Sequence, residues 1–278
     1  MIAFEYEYYR PETMEEALYA FKDATQKGKA PIYYGGGTEI ITFAKKGILR
    51  TGAVIDIKHI KECIDIESKD DHIILGSALT LNELAELDEF KLLKRVAGTI
   101  ADHTVRNRIT LGGNICGRLP YREMVMPLLL ADAKAVIAAP EGIKIVSFTE
   151  AFDKRLLMKP EEFLLRIIID KEALELPFYH VRKEKQGKVD YPLCHLVALK
   201  NNKIRFAFSG VGHFPFRSFA LEEILNNTSI EPKARLELAM DQFPTDIRKD
   251  LLGSARYRRY LLKNALTETL AYLEGVGR

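Results

Sequence analysis

The chain has 278 residues, of which 47% are hydrophobic and 29% charged, with 41 Lys and Arg against 39 Asp and Glu. This length suffices for two domains, and the net charge of +2 argues against a protein that binds nucleic acid. No apolar run reaches the ~18 residues that cross a membrane, and no basic–apolar signal pattern begins the chain, so we expect no membrane span and a cytoplasmic location.

The first notable stretch lies between a predicted strand and a predicted helix. A capping box, Thr13-x-x-Glu16, opens an earlier helix. Residues 30–34 then predict a strand and residues 38–44 a second helix, with three consecutive glycines between them. We call residues 33–40, which read Tyr-Tyr-Gly-Gly-Gly-Thr-Glu-Ile, the first glycine stretch.

This pattern has two interpretations. A strand that enters a helix through a turn without side chains places backbone N–H groups beside the positive end of the helix, which favours a phosphate or pyrophosphate. Three glycines also occur in ordinary turns. The stretch alone leaves both interpretations open.

A second glycine stretch follows several regular elements. Residues 53–57 and 72–76 predict strands, whereas the capping box at Thr80 and the apolar spacing of residues 92–100 predict helices. Residues 105–117 then read Val-Arg-Asn-Arg-Ile-Thr-Leu-Gly-Gly-Asn-Ile-Cys-Gly, which does not predict a regular element. It is either a loop or strand bulge, or backbone pressed against a flat ligand that tolerates no side chain.

The middle of the chain predicts a helix, two strands and a boundary. Residues 124–131 indicate a buried helix, and residues 135–139 and 163–169 indicate apolar strands. Residues 170–176 form a polar connection. We therefore place a domain boundary after residue 175.

The remainder predicts a small sheet followed by helices. Residues 178–181, 193–200 and 203–209 read as strands, and Asn201-Asn202 indicates an antiparallel hairpin. Three helices are predicted after them, at residues 221–225, 234–240 and about 247–273.

The last predicted helix has an apolar face and a basic one. The apolar face carries Leu251, Ala255, Leu262, Leu266 and Leu273. The basic residues that lie largely off this face are Arg256, Arg258, Arg259 and Lys263. They form either a solvated helix face or a docking face for an acidic partner.

No side-chain set for catalysis or metal binding stands out. The cysteines Cys63, Cys116 and Cys194 are odd in number and far apart, and the histidines lack paired spacing. The sequence therefore predicts neither disulfides nor a metal or cluster held by this chain alone. It also predicts no catalytic side chain, because no Ser/His/Asp set or pair of acid–base carboxylates is apparent.

Taken together and in this order, the motifs resemble the FAD-binding subunit of molybdenum-containing hydroxylases, the family of xanthine, carbon monoxide and nicotinate dehydrogenase flavin subunits. The two glycine stretches resemble that family's Gly-Gly-Thr loop and its Val-Arg-Asn-x-x-Thr-(Ile/Leu)-Gly-Gly-Asn motif. Three further segments also resemble it: Gly76-Ser77-Ala78-Leu79-Thr80, Val211-Gly212 with Pro215-x-Arg217, and Ser254-Ala255-x-Tyr257-Arg258.

The resemblance implies an α+β fold. Residues 1–175 are expected to form an FAD-binding domain of the vanillyl-alcohol-oxidase/MurB (PCMH) type with two subdomains. Residues 176–278 are expected to form a C-terminal domain of the CO-dehydrogenase flavoprotein type, with three antiparallel strands and a helical bundle.

The resemblance also implies two groups of residues that bind FAD. The first is expected to cradle the pyrophosphate and consists of Tyr33, Tyr34, Gly35, Gly36, Gly37, Thr38, Glu39 and Ile40. The second is expected to form another clamp on the cofactor and consists of Thr110, Leu111, Gly112, Gly113 and Asn114.

Other residues carry alternatives. Ile100 is expected to touch a ring of the cofactor, with core packing as the favoured alternative. Glu123 is expected to accept hydrogen bonds from cofactor hydroxyls, or to be a solvated loop residue. Leu164 is expected to contact the flavin through its backbone. The candidates for a cation near the flavin are His180, Arg182, Lys183 and Lys188, of which Arg182 and Lys183 are favoured.

In function, the resemblance implies an oxidoreductase of three subunits. A large molybdopterin-binding subunit would hydroxylate the substrate, and a small 2Fe–2S subunit would relay electrons. This chain would carry FAD and pass the electrons to NAD⁺ or another acceptor. The alternatives are a self-contained FAD-dependent oxidase or dehydrogenase, and a non-catalytic interaction module whose glycine stretches are only turns.

Overall fold

The computed structural model describes residues 4–185, 187 and 190–275. Its strands are β1 (Glu7–Tyr9), β2 (Ile32–Tyr34), β3 (Ala53–Asp56), β4 (Ile66–Ser68), β5 (His72–Gly76), β6 (Lys134–Ala139), β7 (Gly142–Ser147), β8 (Phe152–Asp153), β9 (Arg155–Leu156), β10 (Phe163–Asp170), β11 (Phe178–Glu184), β12 (Pro192–Lys200), β13 (Ile204–Ser209) and β14 (Phe216–Arg217). Its α-helices are α1 (Met14–Gln26), α2 (Thr38–Lys45), α3 (Lys61–Ile64), α4 (Leu81–Glu86), α5 (Lys91–Thr99), α6 (His103–Arg106), α7 (Leu111–Cys116), α8 (Val125–Leu130), α9 (Phe148–Ala151), α10 (Phe219–Leu225), α11 (Pro232–Asp241) and α12 (Ala255–Gly275).

The chain folds into two compact units that interleave along the sequence. Unit 1 consists of Met1–Glu86, His103–Arg118 and Asp132–Lys171, and unit 2 of Leu87–Asp102, Leu119–Ala131 and Glu172–Arg278. The single boundary after residue 175 stays a prediction about domains. The compact units follow a different division, because α5 and α8 pack with the C-terminal sheet rather than with the N-terminal sheets.

Unit 1 contains two main sheets, as expected for an α+β fold. The first is parallel, with the strand order β1-β3-β2, and the second is antiparallel, with the order β4-β5-β10-β6-β7. Helix α1 begins at Thr13, whose Oγ1 accepts from the N–H of Glu16 over 3.2 Å, as the capping box predicts. Its Ala17, Ala20 and Phe21 pack in one core with residues of both sheets, which holds the sheets together by apolar burial.

Unit 2 contains an antiparallel sheet covered by helices. The strand order is β11-β12-β13-β14, so the short β14 adds a fourth strand to the three that the sequence predicts. Every residue of β12 except Lys200 is buried. The core of the unit lies between this sheet and helices α10, α11 and α12. Along the described residues, no helix combines the length and apolar character needed to span a bilayer.

The second glycine stretch corrects one prediction. It is not irregular, because residues 103–106 and 111–116 form the short helices α6 and α7. Thr110 caps α7, its Oγ1 accepting from the N–H of Gly113 over 3.1 Å. A capping threonine therefore compensates for the low helix propensity of the two glycines that follow it.

The observed last helix, α12, differs from a second prediction. It begins at Ala255 rather than near residue 247. Before it, Asp250 Oδ1 accepts from the N–H groups of Leu252 and Gly253 over 2.9 and 3.2 Å, which makes a turn. Leu251, predicted on the apolar face, is therefore 97% exposed. Arg258, predicted largely off that face, is instead fully buried.

Two smaller differences between the predicted and the observed structure concern β-hairpins. Strand β7 was not predicted, because its isoleucines at 143 and 145 are exposed and the apolar signal of a buried strand is absent. The connection between β12 and β13 consists of residues 201–203, since Lys200 pairs with Ile204. It is one residue longer than the predicted two-residue turn.

Candidate functional site

The first glycine stretch connects β2 to α2 in unit 1. Gly37 precedes α2 with φ +69° in the left-handed region, where a side chain would be strained, and a Cβ there would overlap the ring of Tyr34. As the N-cap residue, Gly37 has no side chain that could accept from the first N–H groups of the helix. The local conformation therefore requires glycine and leaves the helix N-terminus uncovered by a capping residue.

The backbone N–H groups of this stretch are available to a ligand. Within the described part of the chain, no group accepts a hydrogen bond from the N–H of Gly36, Gly37 or Thr38. The first N–H groups of an α-helix have no intrahelical partner, and the helix dipole makes this end positive. Three unpaired donors at a helix N-terminus are the arrangement that binds phosphate groups.

The second glycine stretch differs, because its N–H groups pair inside the protein. Those of Leu111 and Gly112 donate to the carbonyl oxygens of Leu79 and Ser77 over 2.8 and 2.7 Å. Those of Gly113 and Asn114 donate to Thr110, to Oγ1 over 3.1 Å and to the carbonyl oxygen over 2.8 Å. This stretch can therefore contact a ligand by shape and side chains, but not through these four amides.

The two stretches contact each other within unit 1. A Cβ on Gly36 would overlap the carbonyl oxygen of Arg108, and a Cβ on Gly35 would lie 2.8 Å from Thr110 Oγ1. The glycines are thus needed for contact between the protein's own loops.

The side chains of Glu39 and Tyr33 turn toward the protein. Glu39 Oε1 accepts from the N–H of Arg118 over 2.6 Å, which ties α2 to the end of the second stretch. The Tyr33 ring stacks at 4.9 Å on Phe21, and its hydroxyl donates to the carbonyl oxygen of Glu161 over 2.8 Å. Burial raises the pKa of Tyr33. Both side chains hold the first stretch in place.

Leu164 lies in unit 1, on β10, and is 2% exposed. The pairing of β10 with β6 shifts register between Leu164 and Arg166. The carbonyl oxygen of Leu165, inside that bulge, accepts from the N–H of Ser77 over 3.0 Å. Leu164 is therefore a core strand residue at an irregularity that changes its backbone pairing, and its predicted contact with flavin stays a prediction.

Glu123 lies in unit 2 in a buried ionic cluster. It is 3% exposed, so the alternative of a solvated loop residue is wrong. Its Oε1 accepts from Arg182 Nε over 2.7 Å and from His195 Nδ1 over 2.6 Å. Burial raises the pKa of Glu123, but the hydrogen bond from His195 and the charges of His195 and Arg182 outweigh it and hold that pKa below its usual value.

The candidate cations lie in different environments of unit 2. The positive charge of Arg182 is already balanced by ion pairs with Glu123 and Glu184. Its guanidinium also donates to the carbonyl oxygen of Asp190 over 2.9 Å. Lys183 is exposed. Burial, with smaller contributions from nearby cations, lowers the pKa of His180 to about 2, so it is neutral near pH 7. Lys188 lies outside the described residues.

Ile100 is the C-cap residue that follows helix α5 in unit 2, and it is 7% exposed. Its side chain is thus nearly withdrawn from water, as the core interpretation requires. Contact with a cofactor ring stays a prediction.

Comparison with known proteins decides the family. A family model described as "FAD binding domain in molybdopterin dehydrogenase" matches residues 4–171. The chain belongs to this family. It is therefore an oxidoreductase flavoprotein, its cofactor is FAD, and its α+β fold includes the PCMH-type FAD-binding domain expected from the motifs.

Relatives of this FAD-binding family extend over different shares of the chain. The glyceraldehyde dehydrogenase medium chain of Sulfolobus acidocaldarius is 25% identical over 274 residues, which is 93% of this chain and 95% of that protein. The nicotinate dehydrogenase FAD-subunit of Eubacterium barkeri is 25% identical over 195 residues, 65% of this chain and only 64% of that protein. A solved carbon monoxide dehydrogenase from Hydrogenophaga pseudoflava has the same fold, with a TM-score of 0.85, 23% identity and 98% of each chain covered.

The first glycine stretch of this family member fits a group of FAD. The unpaired donors at Gly36, Gly37 and Thr38 match the oxygens of a pyrophosphate, and the left-handed Gly37 brings them to the start of α2. When bound, FAD supplies the redox chemistry.

Sequence reasoning missed the residues that contact this stretch from β3 and the turn after it. Asp56 is 3% exposed at the end of β3, and Lys58 follows it and donates to the carbonyl oxygen of Gly35. The available signal was a carboxylate within an apolar strand, Ala-Val-Ile-Asp-Ile, with a lysine two residues later. A buried charge needs a partner, so the pair could have been expected.

Proposed function

We propose that this chain is the FAD-carrying electron-transfer subunit of a molybdenum hydroxylase complex. It takes electrons from the 2Fe–2S clusters of a small subunit, beside a molybdopterin-binding large subunit, and passes them to NAD⁺ or another acceptor. The family match supports this, and so do relatives named as medium chains and FAD-subunits.

One observation carries the proposal in this molecule. The N–H groups of Gly36, Gly37 and Thr38 are unpaired in the described structure, whereas those of Leu111 and Gly112 are paired. The first stretch therefore binds the FAD pyrophosphate by hydrogen bonds, and the second shapes the site around it. Thr38 adds a hydroxyl to its N–H.

The other residues predicted to contact FAD are supported by different features of the structure. Leu164 offers backbone at the bulge of β10, and Ile100 offers an apolar side chain. Arg182 is compensated by two carboxylates, so Lys183 has the charge better able to favour an anionic reduced flavin. Glu123 serves first to hold Arg182 and His195 in place.

Affinity purification of the tagged full chain from its source tests this function. We expect FAD, molybdopterin and iron to co-purify in fixed proportion with a large and a small subunit. Reduction by the complex's substrate should bleach the visible flavin bands. A chain that retains FAD but brings down neither subunit would contradict the complex, and one that turns over a substrate alone would favour a self-contained oxidase.

A further inference from the structure

Lys58 contacts the first glycine stretch at the carbonyl oxygen of Gly35. Its Nζ donates to that oxygen over 2.9 Å and to both carboxylate oxygens of Asp56 over 2.7 Å. A lysine ammonium has three donors, so these acceptors use all of them. The ammonium also lies 4.5 Å from the centre of the Tyr34 ring, an attraction between cation and aromatic face.

Asp56 holds Lys58 in this position. Its carboxylate also accepts from the backbone N–H of Lys58 over 3.0 Å and from the hydroxyl of Tyr8 on the neighbouring strand β1. Burial raises the pKa of Asp56, but the hydrogen bonds from Lys58 and Tyr8 outweigh it and keep that pKa below its usual value. The hydrogen bond to Asp56 raises the pKa of Tyr8 to about 12. Near neutral pH the carboxylate is therefore charged and the phenol protonated.

The contact with Lys58 fixes the orientation of the peptide group between Gly35 and Gly36. A trans peptide is planar, and its C=O and N–H point to opposite sides. Because the Gly35 carbonyl points at Lys58, the N–H of Gly36 points away from Lys58. That N–H is one of the three unpaired donors.

We propose that Lys58 is a positioning residue for FAD, which holds the Gly35 carbonyl so that the N–H of Gly36 is directed at the pyrophosphate, while Asp56 and Tyr8 hold Lys58. The inference rests on the proposed function of the first glycine stretch. Lys58 acts through the backbone and does not contact the phosphates, since its three donors are already used. Glycines alone would let this peptide rotate, and the lysine fixes it before the cofactor arrives.

Substitution of Lys58 in the full chain tests the inference. Lys58→Met removes all three donors and should weaken FAD binding by about tenfold or more, the effect of losing a charge-assisted hydrogen bond. The matched control is Lys61→Met, which removes the same charge from a side chain that is 83% exposed. Lys58→Arg keeps charged donors and should restore most of the affinity. Tyr8→Phe keeps the ion pair and should weaken binding less than Lys58→Met.

A second readout separates positioning from general loss of structure. At saturating FAD, the ³¹P resonances of the bound pyrophosphate should shift in Lys58→Met but not in Lys61→Met, while the visible flavin bands stay unchanged. Equal affinities and equal ³¹P shifts for Lys58→Met and wild type would overturn the inference and leave the proposed function standing. A wild-type chain that takes up no FAD would overturn both.

Discussion

The residues whose observed environment differs most from the sequence prediction are buried and charged. Arg258 was predicted on a basic helix face, either solvated or docking an acidic partner, yet it is buried and donates to the carbonyl oxygens of Leu193 and Gly210 over 2.9 and 2.7 Å. For Glu123 the alternative of a solvated loop residue is wrong, because it pairs with Arg182 and His195 in a buried cluster, while its contact with the cofactor stays a prediction. The partners lie far away in sequence, so local patterns of charge and periodicity could not reveal them.

Replacing Arg258 should destabilise unit 2. Arg258→Met removes one of the two arginine partners of Asp250, at 2.7 Å, and leaves buried carbonyl oxygens without this donor. We expect the free energy of unfolding to fall by about 3 kcal/mol, as for breaking a buried ion pair, measured by urea unfolding. Arg256→Met, at an exposed position of the same helix, is the control and should change it by less than about 0.5 kcal/mol. Equal stability of the two variants would contradict the role of Arg258.

His180 should make stability depend on pH. Burial foremost, then the charges of His195, Arg95 and Arg182, lowers its pKa from 6.5 to about 2. Below pH 6.5 the unfolded chain therefore binds a proton that the folded chain does not, and the free energy of unfolding falls as the pH falls, by up to about 1.4 kcal/mol per pH unit from this group. His180→Gln should show a shallower fall between about pH 6 and about pH 4. An unchanged slope would show that His180 titrates normally in the folded protein.

Among the elements, the buried apolar strands and the helices that begin with a capping box were predictable, whereas the exposed strand β7 and the glycine-rich helix α7 were not. Capping boxes at Thr13 and Thr80 give the start of α1 and α4, because the signal is local. Helix α7 depends on carbonyl oxygens of Leu79 and Ser77 that accept from its first N–H groups. Such long-range support overrides the low helix propensity of Gly112 and Gly113.

The contact between the two glycine stretches gives a prediction for Gly36. Gly36→Ala would place a Cβ on the carbonyl oxygen of Arg108, so the stretches must separate. We expect a loss of about 3 kcal/mol in the free energy of unfolding, as for overpacking, together with loss of FAD binding in titrations. The control is Gly47→Asn, just after the C-terminal end of α2. A Cβ there would meet no atom of the described residues within 4 Å beyond its chain neighbours, and asparagine tolerates the φ of +70°. FAD binding by Gly36→Ala equal to that of Gly47→Asn would contradict the contact.

For the whole molecule, the sequence predicted the fold class, whereas the contact between the two glycine stretches is a finding of the structure. The order of the motifs indicated the family and its cofactor, FAD. The motifs could not say which stretch has free N–H groups, because that depends on acceptors elsewhere in the fold. Nor could they give the interleaved units, because a sequence boundary assumes that neighbours in the chain pack together.

The proposed function depends most on the N–H groups of Gly36, Gly37 and Thr38, which we propose bind the FAD pyrophosphate. Amide ¹H–¹⁵N NMR spectra of the full chain, recorded with and without FAD, test it most directly. We expect downfield shifts of these three amide protons on FAD binding, with much smaller shifts for Leu111 and Gly112, whose N–H groups are already paired. Bound FAD that leaves the first three unmoved, or shifts the second pair more, would contradict it.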